Sequence, residues 1–234
     1  MGRAKQHLIG QKTECAKCSL IVCESNRAGA ALPACPTKAK QEILKKGLTK
    51  SKRPDLREFA RQAAIQQFDS FTHLPEGRVA RSSRIEETIQ FAKKMGYKKL
   101  GLAFCSGLRG QSELFNQLLE KHGFEVVSVC CKVGGFSKEH IGITDEHKLR
   151  GPGSYEVMCN PITQAEILND EGTEFNIVIG LCVGHDALFL RHADALSTVL
   201  IAKDRVLAHN PIAALHVSNP CYRRLAEAKE ETTI

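Results

Sequence analysis

From residue 97 onward, short apolar segments alternate with amphipathic ones, and this order restricts the fold more than any other feature of the chain. Four segments have the length and composition of buried strands: YKKLGLAFC, FEVVSVCC, FNIVIGLC and LSTVLIAKD. The segments between them have helical periodicity: GQSELFNQLLEKHG, NPITQAEILNDEG and HDALFLRHA. Alternating strands and helices form βαβ units with a parallel sheet, and strands that are apolar on both faces need cover on both. The sequence therefore predicts an α/β fold with three layers, in which a mostly parallel four-stranded sheet carries helices on both faces.

The composition changes along the chain and divides it into four predicted parts. Residues 1–40 form an N-terminal cysteine-rich module that we expect to bind a metal or cluster, and residues 41–96 a helical segment that packs on the sheet. Residues 97–217 form the α/β domain with the strand-edge cysteines, and residues 218–234 a polar tail. Within the helical segment, HLPEGRVARSS is predicted to be a loop between two helices.

Cysteine residues recur where the predicted strands end. The first three strands end in Cys105, in Cys130 with Cys131, and in Cys182, while Cys159 directly precedes a predicted helix. In a parallel sheet the carboxyl ends of all strands lie on one edge, where open α/β sheets bind their ligands. A single cysteine there is commonly a small buried hydrophobic residue, but repetition over three strands predicts a shared metal or redox site. Neighbours in an extended strand face opposite ways, so one of the adjacent pair is a ligand and the other core, unless the chain turns between them.

The residues beside these cysteines suggest an edge that binds anions. Gly107 and Gly184 lie in turns whose backbone N–H groups can hold an anion, including the sulfides of a cluster. Two residues are candidates for catalysis: Arg109, which can pair with a carboxylate or phosphate, and His185, as a ligand or proton donor. Three residues after the fourth strand are candidates to support the site: Lys203, Asp204 and His209.

Four further cysteines lie close together near the N-terminus: Cys15, Cys18, Cys23 and Cys35. The C-x2-C pair places two thiolates on one tight turn, and all four together suit a zinc ion or an iron–sulfur cluster. The spacing does not decide between these two, since only the final Cys-Pro matches a bacterial ferredoxin run. Without a metal, this short module would have almost no core. Cys221, in the tail, is predicted to be a free thiol.

Charge and hydropathy narrow the compartment and the partners. No apolar run approaches the roughly twenty residues of a membrane span, and the N-terminus lacks a signal peptide's apolar segment, so we expect a cytoplasmic protein without membrane contact. In that compartment we expect the ten cysteines to act as metal ligands or redox groups and not to form disulfides. Residues 1–100 carry a net charge of +12, and the remainder −5. No nucleic-acid motif accompanies the basic half, so this partner is disfavoured and a nucleic-acid-associated regulator stays a third hypothesis.

Three stretches resemble a known family: GYKKLGLAFCSGLRGQSELFNQLLEKHGFEVVSVCCKVGG, MCNPITQAEILNDEGTEFNIVIGLCVGHD and VLIAKDRVLAHNPIAALH. The family is known as cysteine-rich, predicted metal-binding proteins of unknown function, and it looks common in anaerobic bacteria and archaea. The resemblance extends over residues 14–217 and includes the N-terminal cysteines, the strand-end cysteines and His185. The chain departs from the family in its extra N-terminal residues and its charged tail. The resemblance implies metal binding in an anaerobe, and it implies no reaction.

These observations lead to one hypothesis and an alternative. We expect an iron–sulfur protein with 4Fe–4S clusters, one in the N-terminal four-cysteine site and one at the sheet edge. The first cluster would be structural or relay electrons from a partner protein, and the second would transfer electrons or carry out redox or Lewis-acid chemistry on a small anionic substrate. Whether the protein is an enzyme, such as an oxidoreductase or lyase, is left open by the sequence. The alternative is a non-enzymatic zinc protein, with structural zinc in the N-terminal site and sheet-edge thiols that sense metal or oxidants.

Overall fold

The computed structural model describes residues 12–25 and 28–218 of the chain. The helices of this part are α1 (Pro36–Ala39), α2 (Gln41–Ser51), α3 (Pro54–Asp69), α4 (Arg84–Lys94), α5 (Arg109–Lys121), α6 (Pro161–Asp170), α7 (His185–His192) and α8 (Pro211–His216). The strands are β1 (Phe71–Leu74), β2 (Gly77–Ala80), β3 (Lys99–Phe104), β4 (Glu125–Cys130), β5 (Phe175–Ile179) and β6 (Ser197–Ile201). Short 3₁₀ turns lie at Cys15–Lys17, Val22–Glu24, Ala28–Ala30, Ser106–Leu108, Lys138–Ile141 and Asp145–His147.

The last four strands form one parallel sheet in the order β4-β3-β5-β6. The chain passes from β3 outward to β4, returns to the other side of β3 as β5, and then continues outward to β6. The direction of the connections therefore reverses between β3 and β5, and such a switch point opens a crevice beyond the carboxyl ends of the strands. The predicted α/β fold with a parallel four-stranded sheet is confirmed, while the three-layer arrangement stays a prediction.

The core lies along the two inner strands of this sheet. All five residues of β5 and four of the six in β3 are buried. Helix α4 starts at a capping box, in which the Ser83 hydroxyl accepts from the Glu86 N–H and the Glu86 carboxylate accepts from the Ser83 N–H. Its buried side chains then recur with helical spacing, as a helix packed along one face requires: Thr88, Ile89, Phe91 and Ala92.

The segment HLPEGRVARSS, predicted to be a loop, is largely a β-hairpin, and that prediction is wrong. Strands β1 and β2 pair antiparallel, from Phe71 opposite Ala80 to Leu74 opposite Gly77. A two-residue turn between Leu74 and Gly77 lets the chain reverse. Seven of the eight strand residues are exposed, so the sequence carries no alternation of buried and exposed positions that would reveal the strands.

Contacts within the chain define two compact units, one ending at Ile65 and the other beginning at Gln66. Helix α3 carries the boundary between them. In the described part of the first unit only Val22 and Ala31 are buried, whereas the second unit contains the hairpin, the sheet and its core. The domain bounds predicted from composition stay a prediction. The predicted free thiol of Cys221 lies outside the described residues.

Candidate functional site

Four of the strand-edge cysteines line one cavity beyond the carboxyl ends of the sheet. The cavity has a volume of about 460 Å³ and receives the side chains of Cys105, Cys131, Cys159 and Cys182. Cys105 directly follows β3 and Cys182 follows β5 by three residues, so these two come from the strands that flank the switch point. Small-molecule sites of proteins are typically about 300–1,000 Å³, and the cavity is within that range.

Backbone hydrogen bonds fix where these cysteines lie. The N–H of Cys105 donates to the carbonyl of the last residue of β5 at 3.0 Å, and the N–H of Cys131 donates to the last carbonyl of β3 at 2.8 Å. The N–H of Asn160 donates to the carbonyl of Cys131 at 2.8 Å, which holds Cys159 beside Cys131 although 28 positions separate them in the numbering. The sheet hydrogen bonding thus extends one residue beyond the strands and into the site.

A buried glutamine from α6 also ties two strand ends together. The side-chain amide of Gln164 donates to the carbonyls of Phe104 at 3.3 Å and Val129 at 2.7 Å. These carbonyls belong to β3 and β4, immediately before the cysteines of those strands. A buried amide with two backbone partners has little freedom, so Gln164 fixes the spacing of the two strands where the thiols begin.

Cys131 has the surroundings of a thiolate. Its sulfur accepts a hydrogen bond from the N–H of Ser106 at 3.3 Å. The Cys159 thiol donates to the same sulfur and, together with Ser106 and nearby Lys132, lowers the pKa of Cys131 to about 5. The pKa of Cys159 is raised, chiefly because its proton lies in that hydrogen bond and also because it is buried. The hydrogen bond therefore favours the thiolate form of Cys131 and the protonated form of Cys159.

The cavity wall is strongly cationic. A guanidinium N–H of Arg205 donates to the sulfur of Cys182 at 3.0 Å, and this bond raises the pKa of Arg205. Three lysines also line the cavity: Lys132, Lys138 and Lys203. Among the described lining residues Glu156 is the one acidic side chain, and it is already paired with Lys138 at 2.6 Å. The wall consequently suits a group that carries negative charge.

Residues 132–158, called here the cover segment, form the remaining side of the cavity. Its apolar side chains in the lining are Ile141, Ile143, Leu149 and Met158. Two sets of ion pairs hold the segment to itself: Lys138 binds Glu156, and Lys148 binds both Glu139 and Asp145. The side chains of Glu156 and Lys148 are only 8% and 4% exposed, so each set of pairs has one nearly buried member, although Glu139 and Asp145 are about half exposed.

The structure separates the other predicted site residues. Gly107 and His185 line the thiol cavity. Arg109 does not, because it lines a separate polar cavity of about 390 Å³ with residues of α5 and β4. Gly184 precedes α7 with a φ of +85° and is outside the described lining of the cavity, as is Cys130, which is half-buried against the hydrophobic core. The choice between Cys130 and Cys131, open in the sequence, thus favours Cys131 as the thiol in the cavity.

Sequence reasoning missed several residues that touch the thiols. Arg205 and Lys132 were not singled out, and Ser106 was treated only as part of a turn. Lys132 directly follows the cysteine pair, and Arg205 follows the fourth strand by four residues, so position at a strand end was the available signal for both. That signal is weak, because lysine and arginine after a strand are most often solvated.

Three of the four N-terminal cysteines also line one cavity, within the first unit. Cys15, Cys18 and Cys35 border a space of about 220 Å³, while Cys23 is exposed and outside its described lining. The N–H of Cys18 donates to the carbonyl of Cys15 at 3.1 Å, which is the tight turn expected of a C-x2-C pair. Hydrogen bonds from the Thr37 side chain and backbone lower the pKa of Cys35.

In residues 12–25 and 28–218, no three side chains among His, Cys, Asp and Glu are gathered closely enough to hold one metal ion. The thiols of each set line one cavity, and in the sheet-edge set Cys131 and Cys159 are also hydrogen-bonded to each other. Metal binding by either predicted set therefore stays a prediction. Across the same part of the chain, none of the helices combines the length and the apolar character that crossing a bilayer requires.

Fold and site together define a parallel α/β protein with a thiol-lined, cationic cavity at the switch point of its sheet. The chain belongs to the family described as protein of unknown function DUF1847, whose model matches residues 35–200. A relative is the uncharacterized protein MJ0455 of Methanocaldococcus jannaschii, which is 49% identical over 136 residues, 58% of this chain and 68% of the relative. The predicted family is thereby confirmed as one of unknown function with an archaeal member. The family match includes every strand-end cysteine and ends before Lys203.

Proposed function

We propose that the thiol cavity binds an iron–sulfur cluster of the 4Fe–4S type, with which the protein transfers electrons or carries out redox or Lewis-acid chemistry on a small anion. The observation that carries this proposal is the convergence of Cys105, Cys131, Cys159 and Cys182 on one cavity from three strand ends and a helix start. Cysteine thiolates are the usual protein ligands of such clusters. Four would complete a cluster that transfers electrons, whereas three would leave one iron open to bind an anion as a Lewis acid.

The described residues contain no ligand group compact enough for one metal ion, and this favours a cluster over a single zinc ion in the thiol cavity. Zinc–sulfur bonds are about 2.3 Å, so four thiolates around one zinc stand only about 3.8 Å apart. No such compact group exists among the described residues. A cluster contains several irons, and it therefore suits ligands that border a cavity of about 460 Å³.

The charges of the cavity support the same conclusion. Thiolates and cluster sulfides together carry net negative charge, which is costly to bury unless cations and N–H groups offset it. Arg205 already donates to Cys182, and the N–H of Ser106 already donates to Cys131. Hydrogen bonds of this kind to the sulfurs tune the reduction potential of a cluster and prepare the thiolate form of its ligands.

The rest of the site has roles that its positions suggest. The cover segment forms one side of the cavity and places apolar side chains along it, of which Ile141 and Leu149 are themselves exposed. His185, at the first position of α7, lines the same cavity and is placed to deliver a proton to a bound anion. We infer from the βαβ connections that helices also cover both sheet faces, in three layers, so that access to the site is from the strand ends.

For the first unit we propose a second metal site, formed by Cys15, Cys18 and Cys35 with Cys23 as the fourth ligand. Zinc remains the alternative here, because a structural zinc can supply the folding energy that a module with two buried apolar residues in its described part lacks. If the group is a cluster, it would relay electrons from a partner protein. We propose a cytoplasmic setting for the protein, since its cysteines are used as thiols.

The test is a measurement of iron, sulfide and zinc, with a visible spectrum, on the full chain purified without oxygen. Two clusters predict about eight irons per chain, and a Cys105→Ala, Cys182→Ala double variant should retain about half of them. Cys130→Ala serves as the matched control, since it removes a thiol at the same sheet edge that does not line the cavity. Circular dichroism checks that each variant is folded.

The outcomes separate the hypotheses. Halved iron in the double variant with full iron in Cys130→Ala supports a cluster in the thiol cavity. One zinc per chain, no iron and no effect of the double variant would establish the zinc alternative. A folded wild-type chain without iron or sulfide when prepared anaerobically contradicts the proposal.

A further inference from the structure

The loop after β6 is built to present two cations to the thiol cavity. Its ends are joined by reciprocal bonds: the N–H of Asp204 donates to Nδ1 of His209 at 3.0 Å, and the N–H of His209 donates to the carbonyl of Asp204 at 2.9 Å. The Asp204 carboxylate accepts two more backbone N–H groups at 2.9 Å each, those of Val206 and Leu207. The Asp204 carboxylate, the acidic side chain of this loop, therefore stabilises the loop backbone.

Residues 203–209, called here the cationic loop, also have a strained backbone. Ala208 and His209 have φ values of +49° and +64°, a region that residues other than glycine occupy at a cost of roughly 1–3 kcal/mol each. The hydrogen bonds between Asp204 and His209 hold this conformation. Strain of this kind persists where the surrounding structure determines the conformation, and it is concentrated at binding sites.

The two cations of the loop are used differently. Arg205 already donates to the sulfur of Cys182. Lys203 has no hydrogen bond or ion pair with any residue in the described part of the chain, although it is half-buried. Its Nζ lies 3.7 Å from the point where a side-chain carbon on Gly107 would be, and the sulfur of Cys105 lies 3.8 Å from that same point.

Lys203 lines the cavity as a half-buried residue, and no described side chain neutralises its ammonium, so this charge is available to pair with a bound anion. The other cations of the wall have partners: Lys138 binds Glu156, and Lys132 donates to the carbonyl of Val157 at 2.6 Å. Lys203 is therefore the cation left for a ligand. The space over Gly107, which has no side chain, is where that ligand can approach both Lys203 and the thiol of Cys105.

We propose that Lys203, held over Gly107 by the cationic loop, is the recognition group for the oxyanion of a small metabolite, a carboxylate or a phosphate, bound at the thiol cavity. The inference rests on the proposed function for the reaction that follows, while binding of the anion is a separate property of the loop. A ligand with one such group and a few carbons fits a cavity of about 460 Å³. A planar carboxylate and a tetrahedral phosphate both bring negatively charged oxygen atoms to the Lys203 ammonium, and the experiment distinguishes them.

The experiment titrates anaerobically purified full chain with inorganic phosphate and, separately, with succinate, by isothermal titration calorimetry. Iron and sulfide are measured on each sample. The variant is Lys203→Met, which removes the charge and keeps most of the stem. Lys121→Met, at an exposed position in the last turn of α5, is the matched control for loss of one positive charge.

We expect wild type and Lys121→Met to bind at least one of the two probes and Lys203→Met to bind it about tenfold or more weakly, with unchanged iron. The tighter probe identifies the class of oxyanion. The proposal is overturned if neither probe binds wild type or if Lys203→Met binds as wild type does. It is also overturned if Lys203→Met loses iron in parallel with binding, since the lysine would then balance the charge of the metal group. Anion binding that depends on Lys203 in a chain without iron would support this inference and contradict the cluster.

Discussion

At the scale of single residues, Gly180 determines how the chain leaves β5 toward Cys182. It directly follows the strand, has a φ of +61°, and donates its N–H to the carbonyl of Ile201 at 2.8 Å. A side-chain carbon at this position would lie 2.2 Å from a methyl carbon of Leu108, which is itself buried. Backbone conformation and packing thus both require glycine here.

We predict that Gly180→Ala lowers the free energy of unfolding by about 2–4 kcal/mol, because left-handed backbone strain and overpacking against Leu108 add. Urea denaturation followed by circular dichroism measures this change. Gly110→Ala is the control, since Gly110 lies in the first turn of α5 with open space around it and no positive φ. That variant should be as stable as wild type or slightly more so. Equal stability of both variants would show that Gly180 is not constrained.

The position of a site residue can be predicted from the sequence where it depends only on the end of a strand. Cys105 and Cys182 were placed correctly at the sheet edge, because the apolar segments before them are unmistakable strands. The choice between Cys130 and Cys131 could not be made, since it depends on β4 ending at Cys130 so that the next residue turns into the cavity. Arg205 could not be predicted as a partner of Cys182, because its reach depends on the path of a loop.

At the scale of elements, the cover segment shows how a stretch with little regular structure is kept in place. Its backbone pairs with itself at one isolated bridge, Ser137 with Val157. Two sets of ion pairs and hydrogen bonds such as that from the Tyr155 hydroxyl to the carbonyl of Gly135 at 2.6 Å supply further connections. The Lys138 ammonium holds the pKa of Glu156 below its usual range, although burial acts in the opposite direction. A carboxylate whose folded pKa is lowered stabilises the fold at neutral pH, and that stabilisation is lost as the pH falls through the folded pKa.

We therefore predict that the cover segment loosens on acidification, and that Glu156→Gln loosens it already at neutral pH. Hydrogen-exchange protection factors for residues 137–158, corrected for intrinsic exchange rates, should stay high in wild type from pH 7 to about pH 5 and fall below about pH 4, under the normal pKa of a glutamate. Protection in Glu156→Gln should be low throughout and should change less over that interval.

Glu146→Gln is the control for this measurement, because Glu146 belongs to the same segment and its side chain is 75% exposed. It should behave as wild type. If Glu156→Gln retains full protection at neutral pH, the ion pair with Lys138 does not hold the cover.

Helices and strands can be predicted from the sequence where their buried residues recur in a regular pattern. The four strands of the sheet and their connecting helices were predicted because their apolar residues are continuous or recur with helical spacing. The hairpin of β1 and β2 was missed because its residues are almost all exposed, so backbone pairing alone holds it and leaves little trace in the sequence. The sequence assigns no helix or strand to the cover segment, because ion pairs between distant residues have no periodic signature.

At the scale of the whole molecule, the two units differ in what can stabilise them. The unit that begins at Gln66 has the buried sheet and a continuous apolar core. In the described part of the unit that ends at Ile65, Val22 and Ala31 are the buried residues, and α2 exposes three large apolar side chains: Ile43, Leu44 and Leu48. This small buried area does not offset the conformational entropy that an ordered module loses on folding. We propose that metal binding by its cysteines supplies the missing stability.

The final prediction follows from this difference and concerns limited proteolysis of the anaerobically purified chain. A Cys15→Ser, Cys18→Ser double variant should be cleaved within residues 12–65 at least about tenfold faster than wild type, because loss of metal removes the free energy that keeps this unit closed. The fragment that begins near residue 66 should survive in both, since its core does not depend on those thiols. Cys130→Ala, a thiol change confined to the second unit, should leave cleavage of the first unit unchanged. Equal cleavage of wild type and the double variant, both with measured metal content, would mean that the N-terminal cysteines do not hold a stabilising metal.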